Sequence, residues 1–196
     1  MLTSNVEIMT SARNSLKGKM GTPMAVVVVF MAINIVLNRI PWVGPLINIL
    51  ISGSLTLGLY SLFLGIIRGK EVHFSQLFDG FNSFGNALAA YVVMVIYIIL
   101  WALLLIVPGI IAALGYSQTF FIMADDRNID GLTALRKSKE MMMGHKKKLF
   151  YLGCRFIGWF LLGIITLGIG FLWIMPYFLT SLAKFHEDLK TMPRTV

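Results

Sequence analysis

Four stretches of this chain contain no Asp, Glu, Lys or Arg: residues 20–38, 40–67, 80–124 and 156–183. A helix needs about 20 predominantly apolar residues to cross the hydrocarbon core of a bilayer. Runs of this length leave a chain few other ways to fold. Composition agrees: 57% of the 196 residues are hydrophobic, 13% are charged, and mean hydropathy is +0.79. A soluble domain carries about 25% charged residues, and a chain of this size has too little interior to hide the excess apolar surface. The sequence therefore predicts an all-α integral membrane protein, one polytopic domain over residues 1–196.

The 45-residue run 80–124 is too long for one crossing and suits two. Their turn falls at IVPGI, 106–110, where Pro108 restricts the residue before it and Gly109 permits unusual dihedrals. In run 40–67, PWVGP (41–45) reads as a loop and a helix follows from about Leu46 to Ile67. Thr22-Pro23 has the form of an N-cap and first-turn proline. The last apolar region, Leu149 to Ala183, is divided by TLGIG at 166–170. Its two helices have roughly 17 residues each, at the short end of the spanning range, so a re-entrant hairpin over 149–185 stays open. The expectation is about six crossings in three hairpins.

Net charge is +8, and its distribution sets orientation. Arg13, Lys17 and Lys19, then Arg68 and Lys70, then seven basic residues from Arg127 to Lys148, then Lys184, Lys190 and Arg194 all fall on one side if there are six crossings. Arg39 alone lies opposite, and Arg155 sits within a span. Basic loops stay inside, which predicts both termini in the cytoplasm. HKKK at 145–148 then reads as the membrane border of the fifth span. No aromatic residues interleave with these lysines, which argues against nucleic acid.

Each pair of spans follows a short segment ending at a glycine and a polar residue: SARNSLKGKM (11–20), QLFDGFNSFGNAL (76–88) and TALRKSKEMMMGHKKKLF (133–150). The second helix of each pair carries a tyrosine, Tyr60, Tyr116 or Tyr177, with Arg68, Asp125 or Glu187 eight to ten positions later. The pattern predicts three pseudo-repeats, about 11–68, 76–126 and 133–188, each a short interfacial helix and a helical hairpin. In the third segment Leu132, Leu135, Met142 and Met143 can share a face, with Arg136 and Lys137 pointing away and the stem of Lys139 snorkelling. Arg136, Lys137, Lys139, Lys146, Lys147 and Lys148 are thus candidates for contact with anionic lipid head groups, at about 1 kcal/mol per basic residue near the surface.

FSQLFDGF (74–81), LLLIVPGIIAALGYS (103–117), ALRKSKEMMMGHKKKLF (134–150) and FIGWFLLGIITLGIGFLWIMPYF (156–178) together resemble the bacterial integral-membrane family known as domain of unknown function 975. The resemblance implies a multi-pass protein of the bacterial cytoplasmic membrane with no established activity. The architecture is also distantly similar to membrane domains attached to some glycerophosphodiesterases.

Candidate chemistry is sparse. His73, His145 and His186 lie in different segments without metal-ligand spacing, and each is expected at an interface. Cys154 is the sole cysteine, so neither a disulfide within the chain nor a multi-cysteine metal site is possible. DGLTALR (130–136) opens like the CDP-alcohol phosphotransferase motif but lacks its later aspartates. No catalytic residue, metal or cofactor is assigned.

The intramembrane polar candidates are Arg155, Gln118 and Asn34. Arg155 either snorkels towards the interface or pairs with Asp125, Asp126 or Glu187; Gln118 and Asn34 are expected to bond between helices. These features favour a non-enzymatic membrane scaffold, partner-binding or envelope-associated accessory protein. Its expected partners are anionic lipids and a membrane protein or a second copy of itself. A small transporter or export/immunity accessory is the alternative, and a lipid-directed enzyme the second.

Overall fold

The computed structural model describes residues 3–191, and Arg194 lies outside them. Among the described residues the structure is helical, with no strand. Helix α1 spans Asn5–Leu16. Ser4 opens it: its hydroxyl accepts from the Glu7 amide while the Glu7 carboxylate accepts from the Ser4 amide, a reciprocal cap that satisfies two otherwise orphan donors. Ile8, Ala12 and Leu16 recur every four residues and are buried. The helix thus starts six residues before the expected 11–20 segment, and its apolar stripe packs on another helix, α9 (Phe171–Lys190).

Helices α2 (Gly21–Asn38) and α3 (Val43–Ile67) follow. PWVGP is not all loop: Val43, Gly44 and Pro45 form the first turn of α3, because a proline needs no amide partner there, and the reversal is confined to residues around Trp42 (φ 64). α3 is the most enclosed of the long helices and touches α2, α4, α6 and α9. A ten-residue 3-10 helix, Phe74–Ser83, lies across it. Gly58 and Gly80 permit this: a Cβ on Gly58 would stand 2.0 Å from the Leu77 carbonyl oxygen, and one on Gly80 1.9 Å from that of Ser54.

Helix α4 (Phe84–Leu104) ends at an extended Leu105, and α5 (Ile106–Tyr116) begins at once. The break precedes the expected IVPGI turn, since Pro108 occupies the first turn of α5. The helix breaks again at Ser117–Gln118 before α6 (Thr119–Asp125), so the fourth expected crossing is two helices in series. Helix α7 (Gly131–Met141) is capped by Asp130, whose carboxylate accepts from the Thr133 amide. Its buried stripe is Gly131, Ala134, Leu135 and Ser138, continued by Met142, while Leu132 and Met143 are exposed. That corrects the expected face: small residues were needed because α7 packs against α4, where a side chain on Gly131 would meet the Asn86 carbonyl oxygen at 2.4 Å.

Helix α8 (Lys146–Ile165) and α9 are joined at the expected TLGIG, where Leu167 and Gly168 take positive φ. Among the described residues, five helices or helix pairs are long and apolar enough to cross a membrane: α2, α3, the 3-10 helix with α4, α5 with α6, and α8. α9 is not among them because its last turns carry Lys184, His186, Glu187, Asp188 and Lys190. Two apolar cores share α3: Leu55, Leu59 and Leu62 face one with α1, α8 and α9, and Leu57 faces the other with α4, α6 and α7.

Candidate functional site

The C-terminal ends of α3, α6 and α9 meet, and each carries charge there. Arg68 follows the last residue of α3, Asp125 ends α6, and Glu187 lies in the last turns of α9. Arg68 donates through Nε to Glu187 Oε1 at 2.9 Å and through Nη2 to the same oxygen at 2.5 Å, and Nη2 also reaches Asp125 Oδ1. Lys190 donates to Asp125 Oδ2 at 2.7 Å. Burial works against the Arg68 charge, but the hydrogen bonds to Asp125 and Glu187 outweigh it and hold the guanidinium above its ordinary pKa. Two carboxylates and two cations therefore neutralise one another at a half-open site.

His186 extends the cluster inward. Its ring is fully buried and stacks on Phe121, with centroids 5.1 Å apart. Nδ1 lies 3.1 Å from Gln118 Oε1 and Nε2 lies 3.2 Å from Asp125 Oδ2. The amide orientation follows from the next bond along. The Ser117 hydroxyl donates to the Leu114 carbonyl at 2.8 Å, so its lone pairs accept from Gln118 Nε2 at 3.0 Å. Gln118 then has only its oxygen to offer the ring. Both ring nitrogens thus lie within hydrogen-bond distance of an oxygen, Gln118 Oε1 on one side and Asp125 Oδ2 on the other.

The break at Ser117–Gln118 is what aims Gln118 at α9. Its backbone amide, freed from the helical ladder, donates to Ser138 Oγ at 3.1 Å, and Ser138 in turn donates to the Gly115 carbonyl at 2.8 Å. α7 is thereby tied to the α5–α6 junction through a buried serine.

The polar groups of the cluster bond to one another. Both nitrogens of His186 are engaged within the cluster, and its ring is fully buried. Among the described residues no three His, Cys, Asp or Glu side chains gather in a metal-binding arrangement.

The other sequence candidates lie elsewhere. Asn34 accepts at 3.1 Å from Asn48 of α3, which also accepts from Ser52 at 2.6 Å, a polar ladder between α2 and α3. Arg136, Lys137 and Lys139 lie on the exposed side of α7, and Lys147 is exposed at the start of α8. Lys148 is half-buried and donates to the Thr3 carbonyl, while Lys146 is half-buried over Gly115. Arg155 is exposed and makes no ion pair among the described residues. The expected alternative partners Asp125 and Glu187 are held by Arg68 instead.

The ring of His186 is buried within the protein, which the sequence does not indicate. The sequence treated it and Lys190 singly; the pointer to the cluster was the repeated tyrosine-then-charge spacing, which names Arg68, Asp125 and Glu187.

The model of the family described as protein of unknown function (DUF975) matches residues 1–114 and 103–192. The chain belongs to that family. Its long apolar helices are those of a membrane protein. No curated protein and no solved structure matches the chain.

Proposed function

We propose that this DUF975 chain is a non-enzymatic, multi-pass protein of the bacterial cytoplasmic membrane, built from three two-helix units clamped at their cytoplasmic ends. It serves as a scaffold or partner-binding accessory in the envelope. The observation that carries this reading is the closure of the ion cluster: Arg68, Asp125 and Glu187 satisfy one another, and His186 has no nitrogen to spare. A cluster of that kind fixes helices and does no chemistry. The equivalent spacing of the three charges after Tyr60, Tyr116 and Tyr177 supports three pseudo-repeats.

In this reading α2, α3, α4, α5–α6, α8 and α9 make six crossings, and α1, the 3-10 helix and α7 lie at the cytoplasmic interface. The basic residues at that surface meet anionic lipid, not nucleic acid. A second copy or another membrane protein covers part of the exposed apolar surface.

One observation favours the alternative of a small transporter. Transporters place polar groups where a spanning helix is interrupted, and the break at Ser117–Gln118 adjoins the buried His186–Asp125 pair. Reconstitution into vesicles separates the two. The scaffold reading expects an imposed pH gradient to decay at the protein-free rate. Dissipation that disappears in His186→Phe would reject it in favour of transport.

A further inference from the structure

The outer face of α8 carries a feature that the ion cluster does not use. Lys147, Tyr151 and Arg155 lie four residues apart on one stripe, about 12 Å from first to last at ~1.5 Å per residue. With Lys148 and Asn5 of α1 they line an open cleft of about 690 Å³. The opposite face, Leu149, Leu152 and Phe156, is in the core, so the stripe is held rigidly outward.

The charges on this stripe are uncommitted. Lys148 is engaged by the Thr3 carbonyl, but Lys147 and Arg155 make no ion pair or hydrogen bond among the described residues. Tyr151 stands between them, 62% exposed, with a hydroxyl to offer. An ammonium above, a phenol in the middle and a planar guanidinium below suit the oxygens of a phosphate, to which a guanidinium can donate two parallel bonds.

Past Arg155 the same stripe becomes apolar. Trp159 follows after four residues and Leu162 after three more, both about half exposed. A free anion has no use for that continuation, whereas a lipid has its chains beside it.

We propose that this face of α8 is a binding site for one anionic phospholipid, with its phosphodiester between Lys147 and Arg155 and its chains along Trp159 and Leu162. The site requires only that the chain lie in a bilayer, so it stands or falls separately from the scaffold role.

Native mass spectrometry of the purified full chain, after exchange into phosphatidylglycerol or phosphatidylcholine nanodiscs and release, gives the ratio of lipid-bound to free protein. Wild type should retain phosphatidylglycerol and not phosphatidylcholine. Arg155→Gln and Lys147→Gln should each lower that ratio roughly fivefold, the worth of one basic residue at an anionic surface. Arg155→Lys should keep part of it, and Lys137→Gln and Lys139→Gln, which lie outside the cleft, should each lower it clearly less than Arg155→Gln or Lys147→Gln. Unfolding curves identify any variant that has lost its fold, and Arg155→Lys tests the site without removing its charge.

Equal losses in all four glutamine variants would reduce the site to diffuse surface attraction and overturn the proposal. Retention unaffected by Arg155→Gln with Lys147→Gln would overturn it too. Binding of inorganic phosphate without lipid retention would reassign the cleft to a free anion.

Discussion

Arg68 and Glu187, 119 positions apart, are joined by two hydrogen bonds from one guanidinium edge, and the same guanidinium holds Asp125. Three helix ends that sequence separates widely are thus closed by one side chain. Its planar fork is the reason an arginine suits this place: a lysine ammonium cannot present two nitrogens to one acceptor and a third bond to another in fixed geometry.

Removing that fork leaves two carboxylates facing each other beside Lys190. Arg68→Gln should destabilise the protein by about 1–3 kcal/mol, and Arg68→Lys by less. Thermal unfolding in detergent measures both. A double-mutant cycle with Glu187→Gln should show coupling, because the second substitution removes a charge already stranded by the first. Independent, additive losses would mean that the contact contributes nothing.

The buried relay behaves as a unit. His186→Phe keeps the stack on Phe121 but leaves the buried Gln118 Oε1 without its ring partner, at about 1–3 kcal/mol for a buried group left unpaired, while Asp125 keeps Arg68 and Lys190. Gln118→Leu in that background should cost less than it does alone, since its partner has already gone. The same unfolding assay reads the difference, and equal costs in both backgrounds would break the link.

Backbone contact between α3 and the 3-10 helix leaves no room for a methyl group. Gly58→Ala and Gly80→Ala drive a Cβ to within about 2 Å of a carbonyl oxygen, and overpacking of this kind costs about 1–3 kcal/mol or more. Gly153, inside α8, meets nothing within 4 Å. Gly153→Ala should be neutral or stabilising by up to about 1 kcal/mol through helix propensity. Matched unfolding midpoints for the three variants would contradict the packing.

Arg155 has no carboxylate to lose among the described residues. Arg155→Lys should therefore change stability by no more than roughly 0.5 kcal/mol, as for other exposed substitutions. A clear loss would reveal a forked pair after all.

Six crossings with both termini inside require opposite sidedness for the Asn38–Gly44 turn and the C-terminus. Reporter fusions at the two sites read this directly. Activity of the same reporter at both would remove one crossing from the topology.

The charge-free runs alone determined that the chain is helical and apolar along its length, because a polar backbone in hydrocarbon must bond to itself. TLGIG was legible as a turn because glycine tolerates the backbone it needs. Local pattern also placed Arg68, Asp125 and Glu187 eight to ten positions after a tyrosine. It could not say that they touch, since spacing along three separate helices carries no information about where their ends converge. Nor could it distinguish His186 from His73 and His145. Burial of the imidazole depends on Phe121 beneath it and on Gln118 being turned by a helix break that has no proline or glycine to announce it. The α7 face was misread for the same reason: Leu132 is more hydrophobic than Gly131, but α4 comes so close that only the smaller residue fits. Composition decides which segments avoid water. Packing decides which atoms meet, because contact depends on shape and approach distance, and those exist only once the helices are assembled.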